Sequence, residues 1–229
     1  MCPLTLTTPR IHDLLEIDAE CFLQAQSSAP GWVAASLRQT PFVVVRRGPI
    51  STEQGIAVGV RGAQRNERWA GVCHPDLVGR ILTPPMLLTW LATASPMATA
   101  GPPLSPTRTN TIPALRALAL LADRWKALDS LWGPGGSVAF ELASAHPVAT
   151  PQSDLDIVIY AESRMTQGEA RALCESAQGL PAAVDIRVET PNCGFSLTEY
   201  ARAAPRAPIL LRFPYGTALG SDPWAALRP

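Results

Sequence analysis

The segment Ser153-Asp154-Leu155-Asp156-Ile157-Val158-Ile159 restricts most strongly what this chain can become. Its apolar, largely β-branched residues specify a strand. Side chains on a strand alternate faces, so Asp154 and Asp156 share one face while Leu155, Ile157 and Ile159 line the other. Two neighbouring carboxylates on an apolar strand repel each other and resist ionisation unless water, an arginine or a divalent cation lies between them. A carboxylate pair directly ahead of Ile-Val-Ile is hard to reconcile with an ordinary solvated face. Oxygen donors with open aqueous positions suit Mg²⁺ or Mn²⁺, and Asp154 and Asp156 are the expected ligands.

The surrounding pattern extends this expectation. Val184-Asp185-Ile186-Arg187-Val188-Glu189 alternates strictly and reads as a half-buried strand. Asp185 then either adds a third acid to the metal site or pairs with Arg187 or another arginine. Three acids on neighbouring strands would hold a pair of ions that clamps the attacking and leaving oxygens of an in-line phosphoryl or nucleotidyl transfer. Upstream, Gly135-Gly136-Ser137 reads as a turn leading into a strand over Val138–Leu142. Successive N–H groups in such a turn can cradle phosphate oxygens, with the Ser137 hydroxyl as a further donor.

Proline punctuation divides the chain. Residues 1–82 read as a small N-terminal α+β domain, with one or two helical turns over Ile11–Ile17 and two strands, one within the proline-bounded Pro41–Pro49 and one at Ile56–Gly62. Residues 83–111, rich in Pro, Ser and Thr, read as a connection within which Met86–Leu91 suits a helical turn. Residues 112–229 read as a mixed-sheet catalytic domain. In it a helix starts at Pro113, and a second helix starts behind a capping box of Thr166 and Glu169. The fold class is α/β in the α+β sense.

Zero net charge and 17% charged residues exclude a global electrostatic drive toward nucleic acid or a membrane surface. One local basic region exists, with Arg38, Arg46, Arg47, Arg61, Arg65, Arg68 and Arg80 against Glu53, Glu67 and Asp76. Lys126 is the only lysine, which narrows Schiff-base chemistry to that residue. Five scattered cysteines without a CxxC pair fit reduced thiols in a cytoplasmic protein, and no apolar run reaches membrane-spanning length.

The order of a Gly-Ser turn, Ser-Asp-x-Asp on a strand and a third Asp on a later strand resembles the polymerase-beta-like nucleotidyltransferase superfamily. Gly136, Ser137, Asp154, Asp156 and Asp185 are the matching positions, although the interval between Ser137 and Asp154 is longer than the commonest pattern. Within that superfamily the chain is similar to the malonate decarboxylase holo-acyl-carrier-protein synthases, or phosphoribosyl-dephospho-CoA transferases. The carrying segments are His12-Asp13-Leu14-Leu15, Phe42–Arg47, Gly59-Val60-Arg61-Gly62, Arg65–Ala70, Trp132–Leu142 and Ser153–Asp156.

The resemblance implies transfer of triphosphoribosyl-dephospho-CoA to a serine of the apo acyl carrier subunit of malonate decarboxylase, with release of pyrophosphate. It implies metal at Asp154 and Asp156, metal binding or serine activation by Asp185, and phosphate binding by Gly136 and Ser137. Arg61 is the expected N-terminal contact to the triphosphate or to an acidic carrier protein. Two other readings stay open: a related nucleotidyltransferase acting on a small molecule or protein hydroxyl, and a non-catalytic adaptor that binds the carrier protein.

Overall fold

The computed structural model describes residues 8–26, 28–48, 55–62, 64, 66–92 and 106–225. Cys2, Arg65 and the Pro-rich stretch 93–105 lie outside them. The chain forms two compact units, Met1–Thr83 and Pro84–Pro229.

The N-terminal unit is an antiparallel five-stranded sheet of order β4-β3-β2-β1-β5. Its strands are β1 (Leu14–Ile17), β2 (Phe42–Val45), β3 (Ile56–Arg61), β4 (Arg68–Cys73) and β5 (Val78–Leu82), with helices α1 (Ala19–Gln24) and α2 (Gly31–Gln39). The Asp18 side chain caps α1 by accepting from the Cys21 amide. Leu15, Phe22, Val33, Leu37, Val43 and Val58 form a closed core.

The helical turns expected over Ile11–Ile17 are instead the strand β1. Leu14 and Leu15, on opposite faces of β1, are both buried, and β2 and β5 pair along its two edges. A strand covered on both faces loses the alternation by which a strand is recognised.

The second unit contains a six-stranded sheet of order β11-β10-β9-β8-β7-β6. The strands are β6 (Leu131–Pro134), β7 (Leu155–Tyr160), β8 (Val184–Glu189), β9 (Gly194–Ser196), β10 (Ile209–Phe213) and β11 (Gly216–Gly220). Only β7 and β8 run parallel; the other neighbours are antiparallel.

The helices are α3 (Pro84–Ala92), α4 (Pro106–Thr111), α5 (Pro113–Arg124), α6 (Gly136–Ser144), α7 (Gln167–Ser176) and α8 (Leu197–Arg202). Pro113 opens α5, whose Leu115, Leu118 and Leu121 are fully buried. Thr166 and Glu169 form the expected capping box of α7. The helical turn expected over Met86–Leu91 lies within helix α3, whereas Pro106–Thr111, read from sequence as connection, is also a helix; α3 packs on β6 and α6. The fold is α+β, and no helix among the described residues is long and apolar enough to cross a membrane.

Candidate active site

The parallel pairing of β7 with β8 builds the acidic centre. The register sets Asp156 directly beside Asp185 and Leu155 beside Val184. Both acids therefore share a face of the sheet, while Leu155, Ile157 and Ile186 are buried on the other. Asp154 stands exposed one residue before β7, and Asp156 is half-buried.

The glycine turn meets this strand from the other side. Gly135 N–H donates to the Asp156 carbonyl at 2.8 Å as β6 passes into α6. Gly136 has φ +55°, and a Cβ built on it would meet Asp156 Oδ2 at 1.8 Å. Both the backbone angle and the close approach of the carboxylate require glycine here.

The strand expected over Val138–Leu142 is instead helix α6, running from Gly136 to Ser144 with Gly135 as an N-cap that offers no side chain. A short apolar run carries too little periodicity to separate helix from strand. A helix N-terminus presents unsatisfied N–H groups and a partial positive charge, a combination that binds anions. Ser137 lies in the first turn and is 5% exposed.

Asp185 has a partner on its own strand: Arg187 Nη2 donates to Asp185 Oδ2 at 2.8 Å, with the Asp185 side chain 40% exposed. Among the described residues no group of three or more His, Cys, Asp or Glu side chains is arranged to hold a metal. Two carboxylates at a mouth open to water remain a suitable donor set for Mg²⁺, which takes few protein oxygens and keeps several waters. Asp154 and Asp156 fit that ion, whereas Asp185 would have to exchange Arg187 for it.

A residue that sequence reasoning missed stands one helical turn from Ser137. Glu141, 1% exposed, accepts from Arg108 Nε at 2.7 Å, Arg108 Nη2 at 3.1 Å, Val148 N–H at 2.9 Å and Ala149 N–H at 2.7 Å. Burial works to raise its pKa, but the Arg108 guanidinium and the two amides outweigh it and hold the carboxyl below the usual glutamate range. Arg108 and Glu141 are 33 residues apart, so no local pattern reveals them.

Arg61 ends β3 of the N-terminal unit, opposite Arg68, and its carbonyl accepts from Ser36 Oγ at 2.9 Å. The centre described above is built from the second unit alone. In the basic region, Arg38 and Arg80 are paired with Glu20 and Glu16. The four described cysteines are free thiols.

Comparison with known proteins gives one family. Residues 10–84 match the model of the phosphoribosyl-dephospho-CoA transferase MdcG N-terminal domain, and residues 104–223 match that of its C-terminal domain. A phosphoribosyl-dephospho-CoA transferase of Pseudomonas aeruginosa is 34% identical over 216 residues, covering 94% of both chains. The protein of that name from Klebsiella pneumoniae is 34% identical across 95% of this chain and 97% of its own. That from Azotobacter vinelandii is 34% identical across 96% of each. No solved structure matches.

Proposed function

The chain belongs to the phosphoribosyl-dephospho-CoA transferase family, and from that premise we propose that it transfers the triphosphoribosyl-dephospho-CoA group to a serine of the apo acyl carrier subunit of malonate decarboxylase. In this reading the serine oxygen attacks the phosphorus adjoining the ribose, a phosphodiester bond forms, and the bond to the next phosphate breaks. Pyrophosphate leaves with the electron pair. The observation that carries the reading is the carboxylate of Asp156 seated at the glycine-rich start of α6, beside Asp185 in register.

Asp154 and Asp156 are the residues that would hold Mg²⁺, which when bound neutralises charge on the transferring phosphate. The N–H groups opening α6 and the Ser137 hydroxyl orient the phosphate tail. Asp185 either adds a metal oxygen or receives the serine proton, and Arg187 Nη2, donating to its Oδ2, fixes the direction of its carboxylate. Arg61, on the N-terminal unit, offers positive charge to an acidic carrier surface.

The test is a Mg²⁺-dependent mass-shift assay with triphosphoribosyl-dephospho-CoA and the apo carrier protein, run beside Asp154→Asn and Asp156→Asn. The reading requires a covalent mass gain with the unaltered protein that both folded variants lose. Labelling of a different acceptor by ATP, CTP or UTP, without carrier modification, would replace the proposed substrates while keeping nucleotidyl transfer.

A further inference from the structure

Glu141 and Arg108 connect parts of the chain that the transfer site must hold in register. Glu141 lies four residues after Ser137 on α6, so the two side chains share a face of the helix, and both are buried. The Glu141 carboxylate holds the amides of Val148 and Ala149, while Arg108 Nη2 also donates to the Ala149 carbonyl at 2.6 Å. The chain then makes a turn in which Thr150 N–H donates to Ser153 Oγ at 2.9 Å and Ser153 N–H to the Thr150 carbonyl at 3.0 Å. Asp154 follows directly.

The other end of the same path is fixed by Gly135 N–H on the Asp156 carbonyl. The segment from α6 to β7 is thus tied at both ends, and Arg108 and Glu141 form one of the ties. Stability alone explains this pair poorly. Desolvating two charges offsets most of their attraction, and an apolar pair of similar volume is commonly as stable. A bidentate guanidinium and carboxylate fix direction as well as distance, which an apolar contact does not.

We propose that Arg108 and Glu141 are positioning residues for the transfer reaction, setting the separation between the phosphate-binding start of α6 and the carboxylate of Asp154. The proposal rests on the reading of Asp154 and Asp156 as the transfer site. Neither residue touches substrate in this scheme. Their loss therefore lowers kcat, because a displacement on the order of 1 Å at reacting groups costs about 100-fold in rate. KM for the carrier protein is expected to stay unchanged.

Steady-state kinetics on the full chain test this, using Glu141→Gln, Arg108→Met, Arg108→Lys and Asp156→Asn, each at a temperature well below its melting midpoint. Glutamine keeps an oxygen for the Val148 and Ala149 amides and removes the charge that meets Arg108. Glu141→Gln and Arg108→Met are expected to lose about 100-fold in kcat with KM for the carrier protein within about twofold. Arg108→Lys, which keeps charge but not the fork, is expected to recover part of that loss.

A merely structural role predicts lowered melting midpoints with kcat unchanged, and that result overturns the proposal. Wild-type kcat in folded Glu141→Gln, with Asp156→Asn inactive, overturns the positioning role and leaves the site intact. Wild-type kcat in Asp156→Asn overturns the site itself.

Discussion

The carboxylate of Asp156 rests against the α-carbon of Gly136, where a single added methyl would stand 1.8 Å from Oδ2 and 2.8 Å from Cγ. Gly136→Ala therefore forces Asp156 to rotate away and also places alanine at φ +55°, a strain of roughly 1–2 kcal/mol. Transfer activity is expected to fall at least ~100-fold while the melting midpoint drops only a few degrees. Paired turnover and thermal denaturation measurements check both numbers. A folded, fully active Gly136→Ala protein would contradict the packing of this turn on the acidic strand.

Asp185 is engaged by Arg187 at 2.8 Å, and the two belong to the same exposed face of β8. If Asp185 reaches the metal, the guanidinium competes with the cation for its oxygen. Arg187→Ala should then lower the Mg²⁺ concentration for half-maximal activity severalfold, and Asp185→Asn should raise it. A titration curve indifferent to both substitutions assigns Asp185 to another role.

Asp13 makes the N-terminal unit sensitive to pH. It is 2% exposed, accepts from the Arg10 amide at 2.7 Å through Oδ2, and has no hydrogen-bond partner at Oδ1. Burial pushes its pKa up to about 6, above the ~3.9 of an unfolded aspartate. Because the folded value is the higher one, the protonated form is favoured by folding. The associated stability is complete below about pH 4 and is lost as pH rises through about 6, by roughly 3 kcal/mol in all. Asp13→Asn should remove this slope, as measured by denaturant unfolding at pH 4 and pH 7. An identical slope in the variant would mean that Asp13 is solvated or paired.

Ala145 ends α6 in the left-handed region at φ +55° without being glycine. Ala145→Gly should stabilise the second unit by about 1 kcal/mol, the ordinary cost of a Cβ in that conformation. Chemical denaturation reads this directly, and destabilisation would show that the methyl group packs better than its backbone angle suggests.

Much of this architecture was legible from residue pattern, and the remainder failed for identifiable reasons. The β-branched runs at Phe42–Val45 and Ile56–Arg61, the alternation of Val184–Glu189 and the Thr166 capping box are local signals, and each appears in the structure. Alternation places Asp156 and Asp185 on strands but cannot say that those strands are neighbours; their parallel pairing, Asp156 beside Asp185, is a feature of the fold. β1 and α6 were misassigned because segments this short, each with a single acid (Glu16, Glu141) among mostly apolar residues, carry no decisive period. β4 turns only Trp69, Gly71 and Cys73 inward, a face interrupted by glycine that carries little strand signal, and the hairpin of β10 and β11 exposes almost all of its outer strand. The Arg108 and Glu141 pair depends on helix α4 meeting α6 across 33 residues, a contact that only the folded chain creates.

The parallel joint between β7 and β8 has a consequence for chains that are never finished. β8 follows β7 in synthesis by the length of α7, so a product ending before Val184 leaves Leu155–Tyr160 with one side of its ladder open. That segment contains Ile157-Val158-Ile159, the kind of uncharged β-branched run that templates pairing between molecules. Asp154 and Asp156 are then the only charges standing at its entrance. In such a product these two carboxylates would act as gatekeepers against aggregation, and neutralising them is expected to expose nascent chains to self-association.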